Sequence, residues 1–176
     1  MKTLIIYTSQ TGFTKRYAEW ISQGLNGEMM ELKDAKKMDD SFFASFDAIL
    51  YGGWTMGGKV VNADWFLLRA KEWRDKRLAI FVVGASPRAN PDVDAFLETF
   101  LSEEQKEYIG LFYCQGGISY ERMNLASKLM MKSFSTMLLK KKDATEKERE
   151  VGKYLSHSYD IAEKQYADDV VDYIFG

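Results

Sequence analysis

At 176 residues, with hydrophobic side chains at 46%, the chain has the size and composition of one globular domain that buries a core. A net charge of −2 carries no nucleic-acid signature, no apolar run reaches the length of a membrane span, and a lone cysteine excludes an internal disulfide. Lys2 leads straight into an apolar run without a signal-peptide pattern, so the expected location is the cytoplasm.

The first apolar run, 3–7, predicts a buried strand, and 12–24 predicts a helix with Tyr17, Trp20 and Ile21 on one face. Between strand and helix stand Thr8, Ser9, Gln10, Thr11, Gly12, Phe13 and Thr14. Hydroxyls and backbone N–H groups at a helix N-terminus converge on an anion such as a phosphate, and the helix dipole favours its charge. Gly12 has no Cβ and lets the backbone approach closely. The bland alternative is a cluster of ordinary Ser and Thr helix caps.

Further strands are predicted at 28–32, 47–52, 78–84 and 109–114, and further helices at 62–74, 92–107, 119–141 and 163–174. Strands alternating with helices argue for a parallel sheet covered on both faces, and runs such as Leu78-Ala79-Ile80-Phe81-Val82-Val83 fit such burial. A ligand of such a sheet sits beyond the carboxyl ends of the strands. After the third strand, Gly52, Gly53, Gly57 and Gly58 predict tight turns. There Trp54, Thr55 and Met56 offer a ring and a thioether to a flat aromatic ligand, or Trp54 is a core residue beside a glycine turn. After the fourth strand come Ala85, Ser86, Pro87 and Arg88, in a loop stiffened by both prolines of the chain. Arg88 is read either as a cation over the ligand or an anionic substrate, or as a solvated surface arginine.

Segment 115–162 is too long for a simple connection and is expected to be an extended helix and loop insertion within a single domain, 1–176. Met123, Met130, Phe134, Met137 and Leu138 fall on one helical stripe, and Leu125, Leu129, Met131 and Leu139 widen it. The excess predicts cover for a flat apolar substrate or contact with a membrane surface, with Lys140, Lys141 and Lys142 at the end. The alternative is a buried core helix with a basic terminus. Other chemistries lack their residues: no GxxxxGK[ST] or GxGxxG follows the first strand, and Cys114 has no arginine at Cys-x5-Arg spacing. Cys114 is expected in the core, and His157 has no partner at metal-ligand spacing, so no metal is expected.

Ser9-x-Thr11-Gly12-x-Thr14 resembles the phosphate-gripping S/T-x-T-G-x-T loop of the flavodoxins, and the likeness extends over nearly the whole chain. The resemblance implies a flavodoxin-like three-layer α/β sandwich, with a five-stranded parallel sheet in order 2-1-3-4-5. It also implies one noncovalent FMN, held by residues 8–14, 53–58 and 85–88. Gly116-Gly117-Ile118-Ser119-Tyr120-Glu121-Arg122-Met123 is similar to a turn of the menaquinone-dependent protoporphyrinogen IX dehydrogenase branch, where a long inserted helix follows. Proteins of that branch pass electrons from protoporphyrinogen through FMN to a quinone in heme biosynthesis. The implied function is therefore electron transfer or oxidoreduction through FMN, with a redox partner protein or a small-molecule or quinone substrate. Protoporphyrinogen oxidation is the specific alternative, and a flavin-free interaction module is the alternative of another class. No catalytic side chain is singled out. The near-balanced charge fits a dedicated enzyme better than an acidic shuttle.

Overall fold

In the computed structural model, which describes residues 1–176, every side chain of the first apolar run is buried and forms β1 (Thr3–Tyr7). The chain continues through α1 (Phe13–Leu25), β2 (Glu28–Glu31), α2 (Leu32–Ala35), α3 (Asp40–Ala44), β3 (Ala48–Met56), β4 (Lys59–Val60) and α4 (Ala63–Ala70). β5 (Arg77–Gly84), α5 (Pro91–Phe100), α6 (Glu103–Lys106), β6 (Ile109–Gln115), β7 (Gly117–Ile118), α7 (Leu125–Lys140), α8 (Glu146–Tyr154), β8 (Tyr159–Asp160) and α9 (Gln165–Phe175) follow. The five long strands run parallel in the order β2-β1-β3-β5-β6. This is the expected 2-1-3-4-5 order, because β4 is only a short antiparallel addition to the end of β3.

Side chains alternate across the sheet and divide the core in two. Ile5, Leu50, Phe81 and Cys114 face α1 and α9, where Tyr17, Ile21, Val170 and Ile174 are buried. Leu4, Ile49, Ile80 and Val82 face the other layer, which supplies Phe43, Phe66 and Trp73. Cys114 is fully buried, and burial raises its thiol pKa. His157 is exposed, with Nδ1 3.0 Å from the Lys153 carbonyl oxygen.

Several elements differ from the sequence reading. The third strand does not stop at residue 52 but runs to Met56, because β5 stays in register beside it, pairing Gly53 with Val82 and Trp54 with Val83. Cross-strand pairing there outweighs the low strand preference of glycine. The tight turn falls only at Gly57 and Gly58, whose φ values of 58° and 76° make a two-residue hairpin into β4. The 62–74 helix ends at Ala70, and Trp73 turns into the core beside Phe43 and Phe66. The 92–107 helix breaks after Phe100, since Leu101 is extended and buried and Ser102 opens α6 with a capping box to Gln105.

The largest departure lies after β6. The 119–141 helix begins only at Leu125, where the Asn124 side chain accepts from Ser127 N at 2.8 Å. The charged stretch after it forms a second helix, α8, opened by a Thr145–Glu148 capping box. The two helices pack on each other as a hairpin pinned by Ser135 Oγ, which donates to the Gly152 carbonyl at 2.7 Å. The hairpin leaves the sheet through β7 and returns through β8, which pair antiparallel. α7 buries only Ser135 and Leu138, so its apolar stripe is not a core stripe, and Leu125, Leu129 and Met137 are more than half exposed. No helix is long and apolar enough to cross a membrane.

Candidate functional site

The loop between β1 and α1 is shaped from both ends. Thr8 N donates to the Gly52 carbonyl at 2.9 Å, and Thr8 Oγ1 lies 3.2 Å from Tyr51 Oη. Tyr51 donates its hydroxyl to the Val61 carbonyl at 2.6 Å, and its burial pushes the phenol up to about 12, so it stays a neutral donor. At the other end Gly12 adopts φ 96°, a left-handed conformation suited to glycine, and donates its N–H to Ser9 Oγ at 3.2 Å. Gly12 is the N-cap of α1, and no side chain caps the helix. The Ser and Thr cluster is therefore not a set of helix caps. The backbone N–H groups of Phe13, Thr14 and Lys15 find no acceptor within the chain, and Thr11 and Thr14 line the cleft beside them, which is an arrangement that can receive an anion.

Beside this loop opens a cleft at the carboxyl edge of the sheet, with about 640 Å³ of empty space when the open solvent at its mouth is included. Gln10, Thr11, Phe13 and Thr14 form one wall. Trp54, Thr55 and Met56 form the second, and Val83, Gly84 and Ala85 the floor. Gly117 and Ile118 of β7 and Met123, Ser127, Met130 and Met131 of the hairpin complete it. No lining residue is acidic or basic. The cleft thus joins an anion-receiving corner to a flat, mostly apolar slot.

The family model of the flavodoxin domain matches residues 4–146. The chain belongs to the flavodoxin-domain family. No curated protein matches the sequence. Similar solved structures include flavodoxin 2 from Bacillus cereus, 22% identical over 65% of this chain and 84% of that one, with a TM-score of 0.46. The Megasphaera elsdenii flavodoxin is 17% identical over 88% and 98%, at a TM-score of 0.48. A flavoprotein from Lactobacillus acidophilus NCFM, solved in complex with FMN, is 19% identical over 65% and 91%, at 0.40.

Not every predicted residue of this flavodoxin domain reaches the cleft. Thr8, Ser9 and Gly12 shape the loop behind its wall, and Gly53, Gly57 and Gly58 build the hairpin that carries Trp54 to Met56. Ser86 and Pro87 lie past the floor, where the Ser86 carbonyl accepts from Tyr113 Oη at 2.8 Å. Arg88 points away to Asp94, with Nη1 and Oδ1 2.6 Å apart. Its backbone N–H donates to Gln115 Oε1 at 2.9 Å. Arg88 is therefore held in an ion pair with Asp94 outside the cleft lining.

Two residues emerge that the sequence reading did not place in the site. Gln115 is buried at the end of β6, and its Nε2 donates to the Ile161 carbonyl at 2.8 Å and to Glu163 Oε1 at 2.9 Å. It ties the 85–88 loop to the strand that returns from the hairpin. Arg122 reaches the anion loop, with Nη1 3.4 Å from the Thr11 carbonyl oxygen. Its position in the turn after β7 was visible in the sequence, but its distance in sequence from Thr11 hid the contact. Alongside these, Tyr159 Oη donates to the Ala85 carbonyl at 2.8 Å, and burial pushes that phenol up to about 12.

Proposed function

We propose that this flavodoxin domain binds one FMN noncovalently and transfers electrons through it. The observation that carries the reading is the uncapped start of α1, set in a hydroxyl loop that opens into the same cleft as Trp54 and Met56. A phosphate suits the loop, and a flat aromatic ring suits the slot. When bound, the flavin supplies reversible one- and two-electron chemistry. Thr11, Thr14 and the first-turn N–H groups hold the phosphate, and Ser9 holds the loop in shape through Gly12 N. Trp54 and Met56 flank the ring, and the methionine wall excludes water from it.

Purified protein tested for a flavin spectrum, followed by titration of apoprotein with FMN, decides the reading. Saturable uptake of one FMN per chain is expected. A protein that takes up none is the flavin-free interaction module instead.

A second, narrower reading is protoporphyrinogen oxidation with a quinone acceptor. Support comes from the hairpin: Met123, Met130 and Met131 line the cleft, while Phe134 and Met137 continue an exposed apolar surface from its mouth. Such a surface suits a flat apolar macrocycle or a membrane-held quinone. Quinone-linked oxidation of protoporphyrinogen by the flavin-loaded protein, and vesicle binding with Lys140, Lys141 and Lys142 intact or changed to glutamine, test it. No turnover returns the function to electron transfer with another redox partner.

A further inference from the structure

The start of α1 has an unusual charge setting. Its first turn carries no acidic residue and instead carries Lys15 and Arg16. Positive charge at a helix N-terminus opposes the helix dipole and is unfavourable unless a carboxylate or another anion offsets it. Lys15 and Arg16 each have a carboxylate, Glu19 at 3.9 Å and Asp160 at 2.8 Å. Arg122, the third cation, forms no ion pair. Its one side-chain hydrogen bond is the long contact to Thr11 O, and its Nη1 lies 3.0 Å from the point a Cβ on Gly12 would occupy. The neighbouring carboxylates are committed elsewhere: Asp160 to Arg16, and Glu121 to Ser158 Oγ at 2.8 Å.

The base of Arg122 is also fixed. Arg122 N and Met123 N both donate to the Ser119 carbonyl, at 3.2 Å and 3.1 Å. Tyr120, buried beside it, donates its backbone N–H to Ser158 Oγ at 3.0 Å and its hydroxyl to the Leu155 carbonyl. The fixed turn therefore carries a guanidinium beside the anion loop. The 8–14 loop itself contains no charged residue.

We infer that Arg122 supplies the positive charge that the loop lacks, pairs with the phosphate of the bound nucleotide, and sets a preference for FMN over unphosphorylated riboflavin. The inference rests on the FMN reading above. A guanidinium suits the role because it offers two parallel donors to phosphate oxygens, which an ammonium does not.

The test is titration of apoprotein with FMN and with riboflavin, for wild type, Arg122→Gln and Arg122→Lys, at low and high salt. Arg122→Gln is expected to weaken FMN by roughly tenfold or more while leaving riboflavin affinity unchanged, as loss of a charged hydrogen bond predicts. Arg122→Lys falls between, and the deficit narrows as salt rises because the side chain is exposed. An unchanged ratio of FMN to riboflavin affinity in Arg122→Gln overturns the inference and leaves the FMN reading standing. Equal weakening of both flavins also overturns it, since that marks a scaffold for the turn. Wild-type protein that binds neither flavin overturns the FMN reading and this inference with it.

Discussion

Gln115 joins three parts of the chain that meet behind the cleft: the 85–88 loop, the strand returning from the hairpin, and the start of the last helix. Its amide satisfies Arg88 N, the Ile161 carbonyl and Glu163 at once. Replacement by leucine keeps the volume but leaves a buried N–H and a carbonyl unpaired, which costs about 1–3 kcal/mol. Urea denaturation of Gln115→Leu is expected to show that loss. Arg88→Ala, by contrast, breaks only an exposed ion pair, so it is expected to change stability by less than about 1 kcal/mol and to leave FMN affinity unaltered. Thr11→Val removes a hydroxyl from the anion corner and is expected to weaken FMN by roughly tenfold to a hundredfold in the same titration. At this scale the sequence revealed what local spacing controls. The hydroxyls and Gly12 of the loop are neighbours in the chain, so their place between β1 and α1 was legible. Arg122 lies far along the chain from Thr11, and Gln115 acts only through partners at 88, 161 and 163, so neither role had a local signal.

Among the elements, the two-residue turn at Gly57 and Gly58 has both residues in the left-handed region, with open space where side chains would project. Strain rather than collision is therefore what a substitution meets. Gly58→Val is expected to lower stability by roughly 1–2 kcal/mol in urea denaturation. The α7–α8 hairpin carries a pH dependence. The hydrogen bond from Lys141, together with Thr145 N, holds the Glu148 carboxyl down to about 2 from an ordinary value of 4.5. A carboxyl held low contributes stability above its unfolded pKa and loses it as pH falls. Amide protection in α8 is thus expected to decline between about pH 4.5 and 2, and Lys141→Gln is expected to flatten that decline. β1, β3, β5 and β6 were legible because each holds a near-continuous apolar run, while the edge strand β2 shows only Met29 and Met30 between two glutamates. Helix ends were less so: apolar spacing continues through Leu101, and only the Ser102–Gln105 capping box marks the break. α8 has almost no apolar face, since it packs through Gly152 against α7, and hydrophobic periodicity had little to detect.

Over the whole molecule, the core was read well because both faces of the sheet are built from alternating residues of the same apolar runs. The cleft was read in part: two of its walls follow directly from β1 and β3, while the hairpin wall depends on how β7 and β8 pair across a long excursion. Absence of any acid from the lining has a redox consequence. A negative charge about 10 Å from a reduced, anionic flavin raises its energy by roughly 1–2 kcal/mol at an effective dielectric of about 20. Thr55→Glu is accordingly expected to make the hydroquinone potential more negative than that of wild type, measured by potentiometry on the FMN-loaded proteins. A last consequence concerns the thiol of Cys114. Buried in the sheet and poorly ionised, it is closed to maleimides and similar reagents while the fold persists. The native chain therefore behaves as if it had no reactive cysteine. A thiol placed at exposed Phe134 would be the one accessible handle, and a single dye or spin label there would follow the hairpin against the sheet without removal of any natural residue from the core.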